Sequence, residues 1–178
     1  MRNKLKTVSC FLVIISGLCG YGHNAYGQGA IKLSAGFGIP EFLHVGLGLQ
    51  FDQAQIGLSA GTLPNYDESM NSFSGDFRYY FGGFSQLSDR PPWYGKIGLN
   101  YLRDETETFI DKYLYLNTRL GREFNISSHF GVEFEAGAIF ELSYKRTSKP
   151  SPNNWWTFDF NMSAQVLPGA EIGIFYRF

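Results

Sequence analysis

Cysteine is almost absent from this chain of 178 residues, and its two copies, Cys10 and Cys19, both fall within the first 27 positions. The remainder of the chain therefore has no side chains for a disulfide framework, a thiolate metal site or a cysteine nucleophile. Histidine is also scarce, because only His44 and His129 follow position 27. Little material is left for catalysis that depends on an imidazole.

The sequence also lacks an excess of basic residues and any second long apolar run. Its formal net charge is −1, and removing residues 1–27 takes away Arg2, Lys4 and Lys6 but no acid, which leaves −4. A chain of this charge has no surface that would neutralise phosphates, so nucleic acid is not expected as a partner. No apolar run after position 27 approaches the ~20 residues that a membrane-spanning helix needs.

The N-terminal residues are organised as a secretory signal peptide. The basic start is followed by an apolar run over residues 8–18 and by small residues at Ala25 and Gly27, the two positions that a signal peptidase checks. We predict cleavage before Gln28, so that 1–27 is the signal peptide and 28–178 is one domain. Attachment as a lipoprotein through Cys19 is the alternative, but a lipidation signal has Gly, Ala or Ser immediately before the cysteine.

Aromatic residues and glycine, in contrast to cysteine and histidine, are abundant in this chain. Aromatics make up 17% of the chain, and there are 21 glycines. After position 27 apolar and polar residues alternate over about eight segments of about ten residues each. This period of two is that of a strand with one apolar face, and eight strands close the smallest barrels. The sequence therefore predicts an all-β fold, an antiparallel transmembrane β-barrel.

The last stretch of the chain, residues 171–178, carries the most specific pattern. Apolar residues occupy alternate positions from Ile172 onward, as in a strand with one apolar face. The stretch resembles the closing strand of bacterial outer-membrane β-barrel proteins, in which a polar residue, a glycine, an aromatic and a terminal aromatic stand at fixed offsets. The corresponding residues are Glu171, Gly173, Tyr176 and Phe178. In size and strand count the chain resembles the OmpA/OmpX-type barrels, and the resemblance implies that the barrel-assembly machinery recognises this strand.

The signal peptide and the even strand count also imply an orientation. Both termini would lie in the periplasm, so each connection from an odd to an even strand would face the outside. Three polar stretches are predicted as extracellular loops: residues 63–72, 103–111 and 144–164. The connections at 52–53 and 124–129 are predicted as short periplasmic turns, whereas the turn at 82–92 is longer than this family usually has.

Alternation places charged side chains inside the predicted barrel. Cations come from the fourth to sixth strands and carboxylates from the seventh and eighth, and they are Arg78, Lys96, Arg119, Glu133, Glu135 and Glu171. The bore of an eight-stranded barrel is only wide enough for its own side chains, so these charges must meet and pair. We predict a closed, salt-bridged lumen. The alternative is a narrow, porin-like ion path with Arg119 and Glu135 as its selectivity residues.

An enzyme that modifies lipid A, similar to an acyltransferase, is the alternative from another functional class. Such an enzyme would need His, Asp and Ser together at the outer rim. His44 falls near that rim, and Asp67 and Ser69 follow in the next loop. A histidine held in the lumen beside scattered polar loop residues is the commoner arrangement. We therefore predict no catalytic residues and no cofactor.

Two loop features suggest binding of other kinds. The second loop contains four acidic residues, Asp104, Glu105, Glu107 and Asp111. They lack the glycine and the alternating ligand spacing of a calcium loop, so we interpret them as solvated charges and not as a cation bridge to lipopolysaccharide. Trp155, Trp156 and Phe158 form an aromatic patch in the third loop, which is either a contact surface for a partner or part of the outer-leaflet aromatic girdle.

The predicted function is that of a monomeric outer-membrane barrel, exported by its signal peptide and without enzymatic activity. Its role would be envelope integrity or surface contact through the extracellular loops. Its expected partners are outer-membrane lipid, lipopolysaccharide and the barrel-assembly machinery.

Overall fold

The structure is a computed structural model that describes residues 30–64, 69–106, 108–149 and 165–178. The predicted signal peptide, residues 1–27, lies outside the described residues. So does the predicted aromatic patch of Trp155, Trp156 and Phe158. In the part of the chain that is described, no helix is long and apolar enough to cross a membrane.

The described chain forms a closed barrel in which each strand pairs antiparallel with the next and the last strand returns to the first. The strands are β1 (Ala30–Gly38), β2 (Phe42–Phe51), β3 (Ala54–Pro64), β4 (Ser69–Gly82), β5 (Trp93–Glu105), β6 (Phe109–Asn125), β7 (Phe130–Ser148) and β8 (Val166–Arg177). The β1–β8 pairing runs from Lys32 opposite Arg177 to Gly38 opposite Glu171. This closure confirms the predicted all-β barrel and its strand count.

Side chains alternate between the inside and the outside of the barrel wall along most of each strand. In β2, buried and exposed residues alternate from Phe42 to Phe51. Around the middle of the barrel the exposed residues are mostly apolar: Leu58 is 69% exposed and Phe73 60%. We call this surface the outer apolar belt, and it includes Leu33, Leu47, Leu58, Phe77, Ile97, Leu120, Phe134 and Ile172. A continuous apolar surface of this kind is stable against lipid and not against water.

Strands β4 to β7 are longer than the sequence pattern indicates. β4 begins at Ser69, β5 continues to Glu105, β6 begins at Phe109 and β7 continues to Ser148. The predicted loops at 63–72, 103–111 and 144–164 are therefore wrong at their margins, where the described residues are strand. Outward residues of these extensions, such as Asn71 and Lys112, are polar, so the apolar alternation ends although the backbone pairing continues. The extra residues form a rim that extends beyond the belt.

The interior of the barrel is filled in two layers. Charged and hydroxyl-bearing side chains occupy the half nearer the chain termini. The upper apolar cluster fills the other half and consists of Phe42, Met70, Leu102, Tyr113, Tyr115 and Ile139. Inward glycines of β2 and β3 provide the room for the polar side chains. A Cβ on Gly57 would lie 2.7 Å from Oδ2 of Asp76, and one on Gly48 would lie 2.6 Å from Nε2 of Gln55, so a larger residue would displace these groups.

The long turn between β4 and β5, residues 83–92, packs against the terminal end of the interior. Nδ2 of Asn125 donates to Oγ of Ser85 over 3.0 Å. The guanidinium of Arg90 lies 5.1 Å from the ring centroid of Tyr80, a side chain with no exposed surface. The unusual length of this turn therefore serves to cover one end of the barrel.

Candidate functional site

The half of the interior near the chain termini contains a buried cluster around Lys32. Its Nζ lies 2.6 Å from Oε1 of Glu123 and 2.6 Å from Oε2 of Glu133. Arg177 also pairs with Glu123, and the hydroxyl of Tyr80 donates to that carboxylate over 2.9 Å. Strands β1, β4, β6, β7 and β8 each contribute one of these side chains, so the cluster ties together strands that are not neighbours.

A second group of buried charges, farther from the chain termini, is centred on Arg119. Its Nη2 lies 2.7 Å from Oε2 of Glu41 and its Nη1 lies 3.2 Å from Oε2 of Glu135. Nη1 also pairs with Glu171, and Nη2 donates to the carbonyl oxygen of Ile39 over 2.7 Å. The side chain has no exposed surface. One guanidinium therefore joins β6 to β7, β8 and the β1–β2 turn.

Lys96 and Arg78 connect these two levels. Nζ of Lys96 lies 2.8 Å from Glu135 and 3.5 Å from Glu171. Arg78 lies 2.8 Å from Glu133 and 3.2 Å from Glu135. We call the whole set the interior charge network, and its members are Lys32, Glu41, Asp76, Arg78, Lys96, Arg119, Glu123, Glu133, Glu135, Glu171 and Arg177.

All six charged residues that the sequence places inside the barrel lie in this network. The predicted set left out several other members. Alternation places Lys32, Asp76 and Arg177 on the inward faces of their strands as well, and the same alternation carried to the end of β6 places Glu123 there. Glu41 gives no such signal, because it belongs to a turn and only 2% of it is exposed. Closure of the barrel is what brings it over Arg119.

His44, the centre of the alternative enzyme hypothesis, lies in the lumen beside the network. Its Nε2 is 3.0 Å from Oε1 of Glu171, and its Nδ1 is 3.1 Å from the carbonyl oxygen of Phe42. Both partners are acceptors, so each ring nitrogen of His44 faces an oxygen atom. Of its predicted companions, Asp67 lies outside the described residues, and Ser69 is exposed and accepts from Asn71. No contact between His44 and Ser69 appears in the described chain.

Three carboxylates of the network, Glu133, Glu135 and Glu171, lie close enough together to hold a metal ion. Each already contacts one or more ammonium or guanidinium groups, among them Lys32 and Arg119. Bare carboxylates this close would repel strongly, and removing water from them costs several kcal/mol per ion. The basic side chains therefore occupy the place that a cation would take.

Asp104 and Asp111, two of the four acidic residues of the second predicted loop, are not the solvated charges that we expected. Asp104 and Asp111 are each only 4% exposed, and Asp111 pairs with Arg146 across β6 and β7 at 2.7 Å. At the rim, Nζ of Lys149 donates to Glu105 over 2.6 Å, and this hydrogen bond lowers the pKa of the Glu105 carboxyl. Glu107 lies outside the described residues. Paired strand extensions, which the sequence pattern did not show, account for the burial.

The upper apolar cluster closes the interior above the charge network. Tyr115 and Ile139 have no exposed surface. The rings of Tyr113 and Tyr115 stack with centroids 5.6 Å apart, and Tyr144 stacks on Tyr113 at 4.9 Å. Such contacts add to the stabilisation that burial of the rings provides. An open aqueous lumen would be lined by polar side chains at this level.

The four residues that match the closing-strand pattern divide between the two faces of β8. Glu171 points inward and belongs to the charge network. Gly173 also faces the interior, where a Cβ would lie 3.4 Å from Cγ of Glu133. Tyr176 and Phe178 face outward, 43% and 61% exposed, with ring centroids 4.9 Å apart. Two of the four matching residues therefore lie where another protein or lipid can contact them.

Comparisons with known proteins give a structural likeness and no sequence relative. No family model matches the chain, and no curated protein matches it. Among solved structures it is similar to the crystal structure of the N-terminal β-barrel domain of Pseudomonas aeruginosa OprF. The TM-score is 0.55 at 15% identity, over 85% of this chain and 99% of that one. At this identity the likeness shows the fold, and it confirms the predicted small-barrel architecture.

Proposed function

We propose that this chain is an integral outer-membrane barrel with a closed interior, which acts in envelope integrity or surface contact and not in transport or catalysis. The outer apolar belt supports the membrane location, because burying it requires a lipid surface around the whole wall. The likeness to the OprF domain is consistent with the same location.

The observation that carries the closed interior is the complete pairing of the charge network across the bore. Arg119 alone contacts β7, β8 and the β1–β2 turn. A solute would have to break several buried ion pairs, and each charge left unpaired costs about 3–5 kcal/mol. The upper apolar cluster and the turn at 83–92 add a layer at each end of this barrier.

We therefore expect purified protein in a planar bilayer to show no conductance steps, because no continuous aqueous path crosses the interior charge network. The measurement is single-channel recording of the parent and of Arg119→Ala, Glu135→Ala and Arg103→Ala. The last is the control, because Arg103 pairs with Glu105 at the exposed rim. Steady conductance in the parent that changes in Arg119→Ala or Glu135→Ala, but not in the control, would establish the narrow ion path instead.

The absence of enzymatic activity is part of the proposal, and the contacts of His44 support it. A general base needs a free ring nitrogen to accept a proton, whereas both nitrogens of His44 face acceptors and the ring is 6% exposed. Glu171 and Phe42 therefore hold the ring as a structural partner of the charge network. We assign the proposed surface contact to the segments around residues 65–68, 107 and 150–164.

We further propose that the outward aromatics of β8 serve as the assembly signal. Replacing Phe178 by alanine should lower the amount of barrel inserted in cells several-fold. The substitution keeps the backbone bond from Phe178 N to the carbonyl oxygen of Ile31, at 3.0 Å, so it removes only the side chain that the assembly machinery would contact. The measurement is the heat-shifted gel band in the outer-membrane fraction.

Ile174→Ala is the matched control, because Ile174 lies on the same face of the same strand and is 50% exposed. Equal insertion of the parent and of both variants would make the terminal match a coincidence.

A further inference from the structure

The outer apolar belt is interrupted by a depression on β5 to β8. Outward positions at this level are small on β7 and β8, where Ala136 pairs with Ala170, and Leu120 of β6 is the large residue beside them in the same row. Elsewhere on the belt most outward positions are Leu, Ile or Phe. The result is a groove of about 850 Å³. Its floor is the pair Ala136 and Ala170, which face each other across β7 and β8.

The row on the side of the chain termini forms a bulky border to this groove. It runs from Trp93 through Arg122 and Phe134 to Ile172 and Phe37. All five residues line the groove. Four of them are apolar, so Arg122 is the one charged residue in this row.

Arg122 differs from the arginines of the interior charge network, because it has no acidic partner among the described residues. Arg78, Arg119 and Arg177 each pair with a carboxylate. The guanidinium of Arg122 instead lies 5.2 Å from the ring centroid of Trp93 and 4.7 Å from that of Phe124. Its Nε is buried without a hydrogen-bond partner in the described chain. The rings hold the group in place and leave its charge uncompensated.

The position of Arg122 along the strand suits a bilayer interface. It is three residues from the end of β6 at Asn125, beside Trp93 and Phe124, and aromatic rings of this kind settle at the headgroup level. An arginine there keeps its stem in the apolar layer and directs its charged group toward the headgroups. A guanidinium presents its donors in the fork that matches a phosphate.

We propose that the groove binds one anionic phospholipid, with the phosphate on Arg122 and an acyl chain over Ala136 and Ala170. This inference rests on the proposed membrane location. Charge complementarity selects the occupant, since the site combines one unpaired cation with an apolar channel of acyl-chain character. A second copy of this chain fits less well, because a two-fold interface uses the same patch twice and would bring two unpaired Arg122 side chains into one contact.

Trp93 allows a direct test. The chain has three tryptophans, so changing Trp155 and Trp156 to phenylalanine leaves Trp93, in the groove wall, as the sole tryptophan, which is excited at a wavelength that tyrosine does not absorb. The protein is placed in vesicles whose lipids carry brominated acyl chains, either phosphatidylglycerol or phosphatidylcholine, at increasing mole fraction in an unlabelled background. We expect the anionic lipid to quench Trp93 at about a five-fold lower mole fraction, the effect of one basic residue near an anionic surface.

Two pairs of variants separate the headgroup contact from the acyl contact. Arg122→Gln should abolish the anionic preference, whereas Arg103→Gln, at the opposite rim, should keep it. Ala136→Phe should weaken quenching by both lipids because it fills the groove. Ala60→Phe, on the outward face of β3, should not. Each variant is compared with its own unquenched signal, since Arg122 contacts Trp93 directly.

The possible outcomes decide between this proposal and its rivals. Equal quenching of the parent by both brominated lipids would overturn it, as would a preference that survives in Arg122→Gln. A second copy of the chain in the groove would exclude lipid, so quenching of Trp93 would fall as the protein density in the vesicle rises. If quenching then recovered in Ala136→Phe, the groove would be assigned to a second copy. The heat-shifted gel band of the same samples reports insertion, so failure to insert would count against the membrane location and not against the lipid site alone.

Discussion

Replacing Arg119 by methionine should lower the free energy of unfolding by about 3–5 kcal/mol, the effect of removing one partner from a buried ion pair. Methionine keeps much of the side-chain length, so the change removes the charge with little change in packing. It leaves Glu41, Glu135 and Glu171 with fewer cations in a place where they have almost no exposed surface. The measurement is a urea titration of the folded protein in vesicles, followed by the heat-shifted gel band.

Arg103→Met is the matched control for this experiment. Arg103 pairs with Glu105 at 2.8 Å, but their side chains are 43% and 35% exposed. Water screens such a pair, so its loss should change the stability by no more than about 1 kcal/mol. Adding Glu41→Gln to Arg119→Met should recover part of the loss, because it removes one of the stranded carboxylates. Equal effects of the two single variants would show that the interior charges are hydrated and that the lumen is open.

Replacing Leu58 by arginine should destabilise the barrel in a bilayer by about 2–4 kcal/mol, the effect of a basic residue at the bilayer midplane. Leu58 lies near the middle of β3 and is 69% exposed. On the surface of a water-soluble protein such an exposed position would tolerate the change within about 0.5 kcal/mol. The same urea titration in vesicles measures the effect.

Phe84→Arg is the comparison variant, because Phe84 is even more exposed, at 84%, but belongs to the turn at 83–92 and not to the belt. It should leave the stability nearly unchanged. A neutral result at both positions would mean that the outer apolar belt does not contact lipid.

The strands could be predicted from the sequence because the apolar alternation has a physical cause: one face of each strand lies on the apolar outside of the barrel and the other faces its interior. That signal gave the strand count and the inward position of residues such as Glu133 and Lys96. It failed at the rim, where β7 continues to Ser148, because both faces there are polar. Strand length beyond the belt is set by cross-strand pairing, such as Arg146 with Asp111, which no single segment reveals.

The candidate site could be predicted only in part. Alternation assigns a side chain to the interior but does not give its position along the barrel axis. It therefore predicted that cations and carboxylates would meet, but not that Arg119 contacts three carboxylates. Glu41 and Arg90 enter the interior from turns, and a turn has no period to follow. The unpaired Arg122 also escaped notice, because its lack of a partner is a property of the assembled wall.

The pairing of β1 with β8 has a consequence for the order in which this protein folds. Lys32 lies opposite Arg177, so the seam of the barrel joins β1 and β8 and cannot form until β8 has been synthesised. Until then Arg119, Lys96 and His44 lack Glu171, and the first and seventh strands each have an unpaired edge. Contacts this distant in sequence form late and slowly. The wall of the barrel therefore stays open until β8 pairs with β1, and closure is a single, late and cooperative event.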